Sequence, residues 1–359
     1  MPDVAIVGAG PAGSACALML RAHAPSLSVA LYEASRFDGL RLGETLPPAA
    51  RTLLDQLGVF EAFRAAGHRE VHGTSSAWGA PRPQDNDFLF FAHGPGWHLD
   101  RAAFDRMLAE EAERRGVALH LGTPVHDVAE LDARFVVDAT GNATIATRAF
   151  GARFVSIDHL VSFARFYECG GEGDPRTVVE AFADGWWYTA AIPNGGRVVA
   201  CMTDADIARR MSLSADVSWH AALDAMPLIG AIARKATGGG AIIARATESR
   251  YLEPPCGEGW LAVGDAASRF DPLSSQGITK AMRSGIFAAY AVGDLLTDGT
   301  DRGMRGYERF IRAEFEAYRA ARTKHYGDEQ RWPESDFWKR RFLFLQRPDV
   351  RDEGLNVGG

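Results

Sequence analysis

Val4-Ala5-Ile6-Val7-Gly8-Ala9-Gly10-Pro11-Ala12-Gly13 opens the chain with a β-branched run that stops at a glycine turn, and a second apolar run, Leu27 to Tyr32, ends in Glu33. The order reads as strand, glycine turn, helix, strand and terminal acid, the βαβ arrangement that cradles a dinucleotide. Gly8 permits the tight turn and Gly10 lets backbone N–H groups, with Pro11 and Ala12 at the helix start, approach a pyrophosphate. Gly13 lets the helix pack closely on the strand. Glu33 stands where the ribose hydroxyls of the adenosine would be bound. NAD and FAD both satisfy this fingerprint, and a glycine-rich turn with no ligand is the bland alternative.

With 359 residues, 47% of them hydrophobic, the chain can bury a sizeable core and is long enough for two domains or one large interleaved one. A net charge of −7 argues against nucleic acid or an anionic membrane as partner. A buried strand starting at Asp3 leaves no room for a signal peptide, and the apolar stretch Ala281 to Leu296 is broken by Arg283 and Asp294. A cytoplasmic protein is expected. Cys16, Cys169, Cys201 and Cys256 are scattered without metal-ligand spacing, so no metal is expected.

Beyond Glu33 a loop, Arg36 to Pro48, precedes a helical pattern from Ala49 to Ala65, and Val71 to Phe91 reads as short strands. A helix opens at Leu99-Asp100-Arg101, strands follow at Val117 to Leu121 and Arg134 to Val137, and the period then shortens to two from Gly151 to Thr203. Helical stretches fill Ala205 to Lys235, a buried strand runs from Gly259 to Val263, and helices resume from Ser274 to about Gln346. This is an α/β (α+β) chain. Its expected organisation is a discontinuous nucleotide-binding domain over 1–150 and 240–300, with strands near 70–92 on the substrate side. An antiparallel substrate domain is expected over 151–239 and a helical segment over 301–359.

Three motifs in order make the reading specific: the glycine turn with Glu33, Asp138-Ala139-Thr140-Gly141 closing a middle strand, and Gly264-Asp265-Ala266-Ala267 closing a late one. The chain resembles the FAD-dependent aromatic monooxygenases and halogenases of the p-hydroxybenzoate hydroxylase fold, from about Asp3 to Leu296. The resemblance implies a Rossmann-like FAD-binding domain of the GR2 type and FAD as the bound dinucleotide. It places Arg41 toward the pyrophosphate, Arg101 and Gly141 against the cofactor, and Asp265, after Gly264, on the ribityl chain; a guanidinium fork suits diphosphate oxygens. In Asp271-Pro272-Leu273-Ser274-Ser275-Gln276-Gly277-Ile278, the resemblance sets Pro272, Ser275, Gln276 and Gly277 at the flavin ring, with Ile278 behind them. A helix N-terminus there would stabilise anionic reduced flavin. The implied chemistry runs through a flavin C4a-hydroperoxide, with the protein orienting substrate and excluding water.

Halogenases of this family use an early lysine to handle hypohalous acid, yet no lysine precedes Lys235, and Thr74 to Gly79 occupies the region where one is sought. The family's W-x-W-x-I-P string reads Tyr188-Thr189-Ala190-Ala191-Ile192-Pro193. Halogenation is therefore disfavoured. Arg41 to Pro48 and Asp271 to Ile278 are similar to the LodB/GoxB-type flavoproteins that act on peptide-borne tryptophan. A hydroxylase of an aromatic ring, an indole or tryptophan, acting on a small molecule or on a tryptophan-bearing peptide or protein is the favoured reading. Trp78, Trp186, Trp187 and Tyr188 are candidate substrate contacts, joined by Phe163 and Phe166, and His98 is a candidate proton relay. Electrons would come from NAD(P)H or from a separate flavin reductase. A reductase of the geranylgeranyl reductase type and a non-catalytic FAD-bearing binding module stay open as alternatives.

Overall fold

The computed structural model describes residues 1–88, 93–170 and 174–345; Phe91 and Gln346, ends of two expected segments, lie outside them. Val4–Val7 is buried along its whole length and pairs in parallel with Val29–Glu33 on one side and Phe135–Asp138 on the other. Ala118–Leu121 extends this sheet at one edge, while Trp260–Ala262 and antiparallel Cys256–Gly257 extend it at the other. The strands that carried the three motifs thus lie side by side, and their carboxyl ends open on one crevice. Open α/β sheets bind ligands at that edge.

Helix Pro11–His23 crosses helix Gly277–Asp298 so closely that a Cβ on Gly285 would strike the Ala12 carbonyl. The first glycine turn and the late helix are therefore one packing unit. Between Ala118–Leu121 and Phe135–Asp138 only a single helical turn, Val128–Leu131, is present.

A seven-stranded sheet covers the crevice in the order Ile243–Ala246, Leu160–Glu168, Gly196–Asp204, Gly185–Ala191, Thr177–Phe182, Gly73–Ala77, Gln84–Asp87. All its pairings are antiparallel except Thr177–Phe182 with Gly73–Ala77. Period-two alternation sends one set of side chains toward the crevice and the other toward the helices Ala205–Met211, Asp216–Asp224 and Ile229–Ala233. Ile243–Ala246, expected to belong with the nucleotide-binding segment from 240, instead forms an edge strand of this sheet beside Leu160–Glu168, Val161 facing Ala246.

Two other expectations change. The helix read across Ala49 to Ala65 is divided into Ala50–Gln56 and Phe60–Ala65, because Gly58 turns the chain at a φ of +65°. The late helix starts at Gly277, preceded by a short turn over Pro272–Ser274. At the C-terminal end, Arg302–Gly327 and Asp336–Leu345 pack into the interior, where Tyr326, Phe337 and Trp338 join Trp186 in one buried cluster.

Candidate active site

One cavity of about 820 Å³ runs from the first glycine turn to the late helix, beneath the seven-stranded sheet. That size suits a cofactor with a small partner. At its nucleotide end Gly8 adopts a φ of +106°, and a Cβ there would collide with the Ala139 carbonyl. A Cβ on Gly10 would meet nothing within 4 Å, so its backbone faces open cavity. Pro11 and Ala12 line the same wall, whereas Gly13 is consumed by packing against the Gly8 carbonyl.

Glu33 closes its strand with Oε2 accepting the Ala9 N–H at 3.0 Å and Oε1 accepting the Ser35 hydroxyl at 2.6 Å. Burial pushes this carboxyl up, but the bonds from Ser35 and Ala9, with the Arg41 charge, outweigh it and hold it below the usual range. Arg41 bonds Glu33 at 3.0 Å and Asp105 at 2.9 Å, and Arg101 bonds the same buried Asp105 at 3.1 Å and the Leu42 carbonyl at 2.6 Å. Two guanidiniums thus share one carboxylate, leaving N–H donors for diphosphate oxygens.

At the other end Pro272, Ser275, Gly277 and Ile278 line the cavity, with Gly264 and Asp265 beside them; Gln276 is not among the lining residues. Asp265 accepts from the Lys280 ammonium at 2.8 Å. Burial raises the Asp265 carboxyl, yet Lys280, with Arg269 and Arg101, more than offsets that and keeps it below the usual range. Gly277 begins a 22-residue helix whose positive end therefore meets the cavity. Asp271 caps the preceding turn by accepting the Leu273 N–H at 2.9 Å. An open glycine turn, two guanidiniums that share a carboxylate, a fixed aspartate and a helix N-terminus thus lie along one cavity wall, a donor set that fits a dinucleotide such as FAD.

Across the sheet, Val179, Tyr188, Ala200, Ala164 and Ile243 form one cross-strand row, and Trp186, Met202, Ser162 and Arg245 form the next. All nine line the cavity. Trp187, one residue out of phase, points away and packs on Trp219 with ring centres 4.9 Å apart. Trp78 does not reach the cavity either: its indole donates to the His325 carbonyl at 2.7 Å and its ring sits among Trp186, Tyr326 and Trp338. Phe163 and Phe166 are likewise absent from the lining. His98 lies behind the wall, fully buried, with Nε2 bonded to the Thr177 hydroxyl at 2.8 Å. Burial pushes its pKa down to about 4, so it stays neutral and structural at physiological pH.

The bonds that join several of these groups escaped sequence reading. Glu44 is 2% exposed and accepts the Tyr188 hydroxyl at 2.6 Å; Trp186 donates to the Tyr326 hydroxyl at 3.0 Å, which donates to Asp271 at 2.7 Å. The strand phase of Trp186 and Tyr188, carried through the register to Met202, Ala200 and Ser162, was the available signal for the roof. None of the four lysines lines the cavity. Among the described residues no group of side chains is arranged to hold a metal ion, and no helix is long and apolar enough to cross a membrane.

The chain is 28% identical over 363 residues to the putative FAD-dependent oxidoreductase LodB of Marinomonas mediterranea, covering 95% of this chain and 97% of that one. The myxobacterial chondrochloren halogenase CndH superposes with a TM-score of 0.85 at 25% identity, covering 95% of this chain and 85% of the other. QhpG, a peptidyl tryptophan dihydroxylase essential for tryptophylquinone cofactor biogenesis, superposes with a TM-score of 0.77 at 24% identity, covering 98% and 80%. The family model described as tryptophan halogenase matches residues 3–91 and 74–350. Halogenation, disfavoured above on the missing lysine, is thus the chemistry for which the matching family is named. The cavity, its FAD-shaped wall and these matches together make the chain a member of the tryptophan halogenase family, an FAD-dependent enzyme of oxidative aromatic modification.

Proposed function

We propose that the chain is an FAD-dependent monooxygenase that hydroxylates an aromatic ring, an indole carried on a peptide or protein. The observation that carries this is the lysine-free cavity. Lys280 is spent on Asp265 beneath the cavity wall, and Lys235, Lys324 and Lys339 lie elsewhere, so no ammonium stands between flavin wall and roof to handle hypohalous acid. QhpG, a peptidyl tryptophan dihydroxylase, shares this fold. Bound and reduced, FAD supplies the activation of dioxygen. The chain contributes a largely apolar roof, on which Trp186 and Tyr188 offer aromatic surface to a flat ring. Electrons reach the flavin from NAD(P)H or from a separate reductase.

A second reading, halogenation, is favoured by the family match itself. Aerobic incubation with a reducing system, labelled dioxygen and bromide separates the two by mass spectrometry, with free tryptophan and a tryptophan-bearing peptide as alternative substrates. Labelled oxygen on the peptide is the expected outcome. A bromine mass shift establishes the second reading, modification of free tryptophan alone removes the peptide from the proposal, and no mass gain on either refutes it.

A further inference from the structure

Five carboxylates line the cavity: Glu33, Glu44, Asp105, Asp265 and Asp271. Four are held by cations. Arg41 takes Glu33 and Asp105, Arg101 also takes Asp105, Lys280 takes Asp265, and Arg322 stands 3.4 Å from Asp271. Glu44 forms no ion pair among the described residues. Its Oε1 accepts the Gly43 N–H at 3.0 Å and its Oε2 accepts the Tyr188 hydroxyl at 2.6 Å. Tyr188 sits in the middle of the roof, in register with Val179 and Ala200, so this bond joins the loop beneath the cavity to the sheet above it.

We propose that Tyr188 and Glu44 form the proton relay that removes the ring proton displaced when the aromatic substrate is substituted. This rests on the proposed hydroxylation. With dioxygen and two-electron-reduced flavin as co-reactants, one oxygen atom bonds to a ring carbon and the other leaves as water, taking up the two electrons. The C–H bond at that carbon breaks, and its electron pair returns to the ring and restores aromaticity. The proton passes to the Tyr188 oxygen as the phenolic proton of Tyr188 moves to Glu44 Oε2.

The surroundings suit this role. Burial pushes the Glu44 carboxyl up, and the Tyr188 bond and the Arg101 charge only partly oppose it, so Glu44 accepts a proton more readily than an exposed glutamate. Burial, reinforced by the Glu44 charge, also pushes the Tyr188 phenol well up, which keeps its proton in place between turnovers. Arg101 is the cation facing the pair, but its hydrogen bonds go to Asp105 and to the Leu42 and Gly43 carbonyls. His98 is walled off behind Thr177.

The test has two arms on the FAD-loaded protein. In the first, infrared difference spectra of the parent minus Glu44→Gln are followed against pH without substrate. A Glu44 carboxyl band that titrates above the ordinary glutamate range, with a Tyr188 phenol band that shifts in step, supports the relay. A band titrating like an exposed glutamate, or a phenol that does not respond, overturns it. In the second arm, a tryptophan-bearing peptide with a deuterated ring is compared with the protiated peptide in a single turnover. Glu44→Gln and Tyr188→Phe should each slow product formation by about 100-fold. Each should also show a ring-deuterium isotope effect absent from the parent, while FAD affinity stays within about twofold. Parent-like rates without an isotope effect in both variants overturn the relay. If the parent itself leaves the peptide unmodified, the functional reading falls, and the infrared arm still decides the relay.

Discussion

Replacing Tyr326 by Phe removes one hydroxyl and should loosen the flavin-facing turn from behind. That hydroxyl donates to Asp271 Oδ2 at 2.7 Å and accepts from the Trp186 indole at 3.0 Å, in an interior where all three residues are essentially unexposed. Asp271 in turn caps the turn that carries Pro272, through the Leu273 N–H at 2.9 Å. A hydrogen bond to a charged acceptor contributes about 1.5–3 kcal/mol, and an indole N–H left buried without a partner costs about 1–3 kcal/mol. Arg322, 3.4 Å from the same carboxylate oxygen, softens the first loss. A net destabilisation of about 2–4 kcal/mol is expected.

The sign of its pH dependence follows from Asp271. Burial pushes that carboxyl up, with Arg322 only partly offsetting it. An acid whose folded pKa lies above its unfolded value loses stability as pH rises through the folded value. Deleting a donor to the carboxylate deepens that loss, so Tyr326→Phe should be more damaging at pH 8 than at pH 5. Chemical unfolding of parent and variant at the two pH values, with FAD affinity measured by fluorescence, reads both effects. A variant within about 0.5 kcal/mol of the parent at both pH values would show that the C-terminal helix does not brace the turn.

Other substitutions separate packing from ligand contact. Gly10→Ala places a methyl in open cavity and should weaken FAD about tenfold, a cost near 1.4 kcal/mol, with unchanged stability of the apoprotein. Gly8→Ala, at a φ of +106° against Ala139, should destabilise the apoprotein by more than about 1–3 kcal/mol, read by thermal unfolding. Trp186→Phe should change the KM for the aromatic substrate, whereas Trp187→Phe, whose ring packs on Trp219 outside the cavity, should change stability and leave KM alone. His98 is held neutral by burial with its pKa pushed down to about 4, so its contribution is fully present above the unfolded value of about 6.5 and is lost as pH falls toward 4. At pH 4 about 3 kcal/mol should be gone, and His98→Gln should flatten the acid limb of a stability-against-pH titration without altering a turnover profile at neutral pH.

The glycine turn, the strand-ending acids and the Asp271 to Ile278 segment were legible because their chemistry is local. The backbone at Gly8 and Gly10, a strand end and a helix N-terminus are set by residues a few positions apart, and the sheet then brings three such pieces to one edge. Phase was legible in principle: once Trp186 faces the cavity, Tyr188 must face it too, and Trp187 cannot. What fixed the phase was not local. Trp187 finds Trp219 in the covering helices and Trp186 finds Tyr326, 140 residues away, so the partners decide which of two adjacent tryptophans lines the cavity.

The same distance hid the bond between Glu44 and Tyr188. Glu44 and Tyr188 are 144 residues apart and sit in strings whose local reading is a loop acid and a strand aromatic. The carboxylate's meaning lies in the ion pairs its neighbours make: each of the other four acids in the wall has a cation nearby, so the acid without one stands out when all five are seen together. A lysine at this point would neutralise Glu44 and draw its proton chemistry toward an ammonium. With no lysine in the lining, the Glu44 to Tyr188 bond connects the floor to the roof, and the feature that weighs against halide chemistry also leaves Glu44 free to accept a proton.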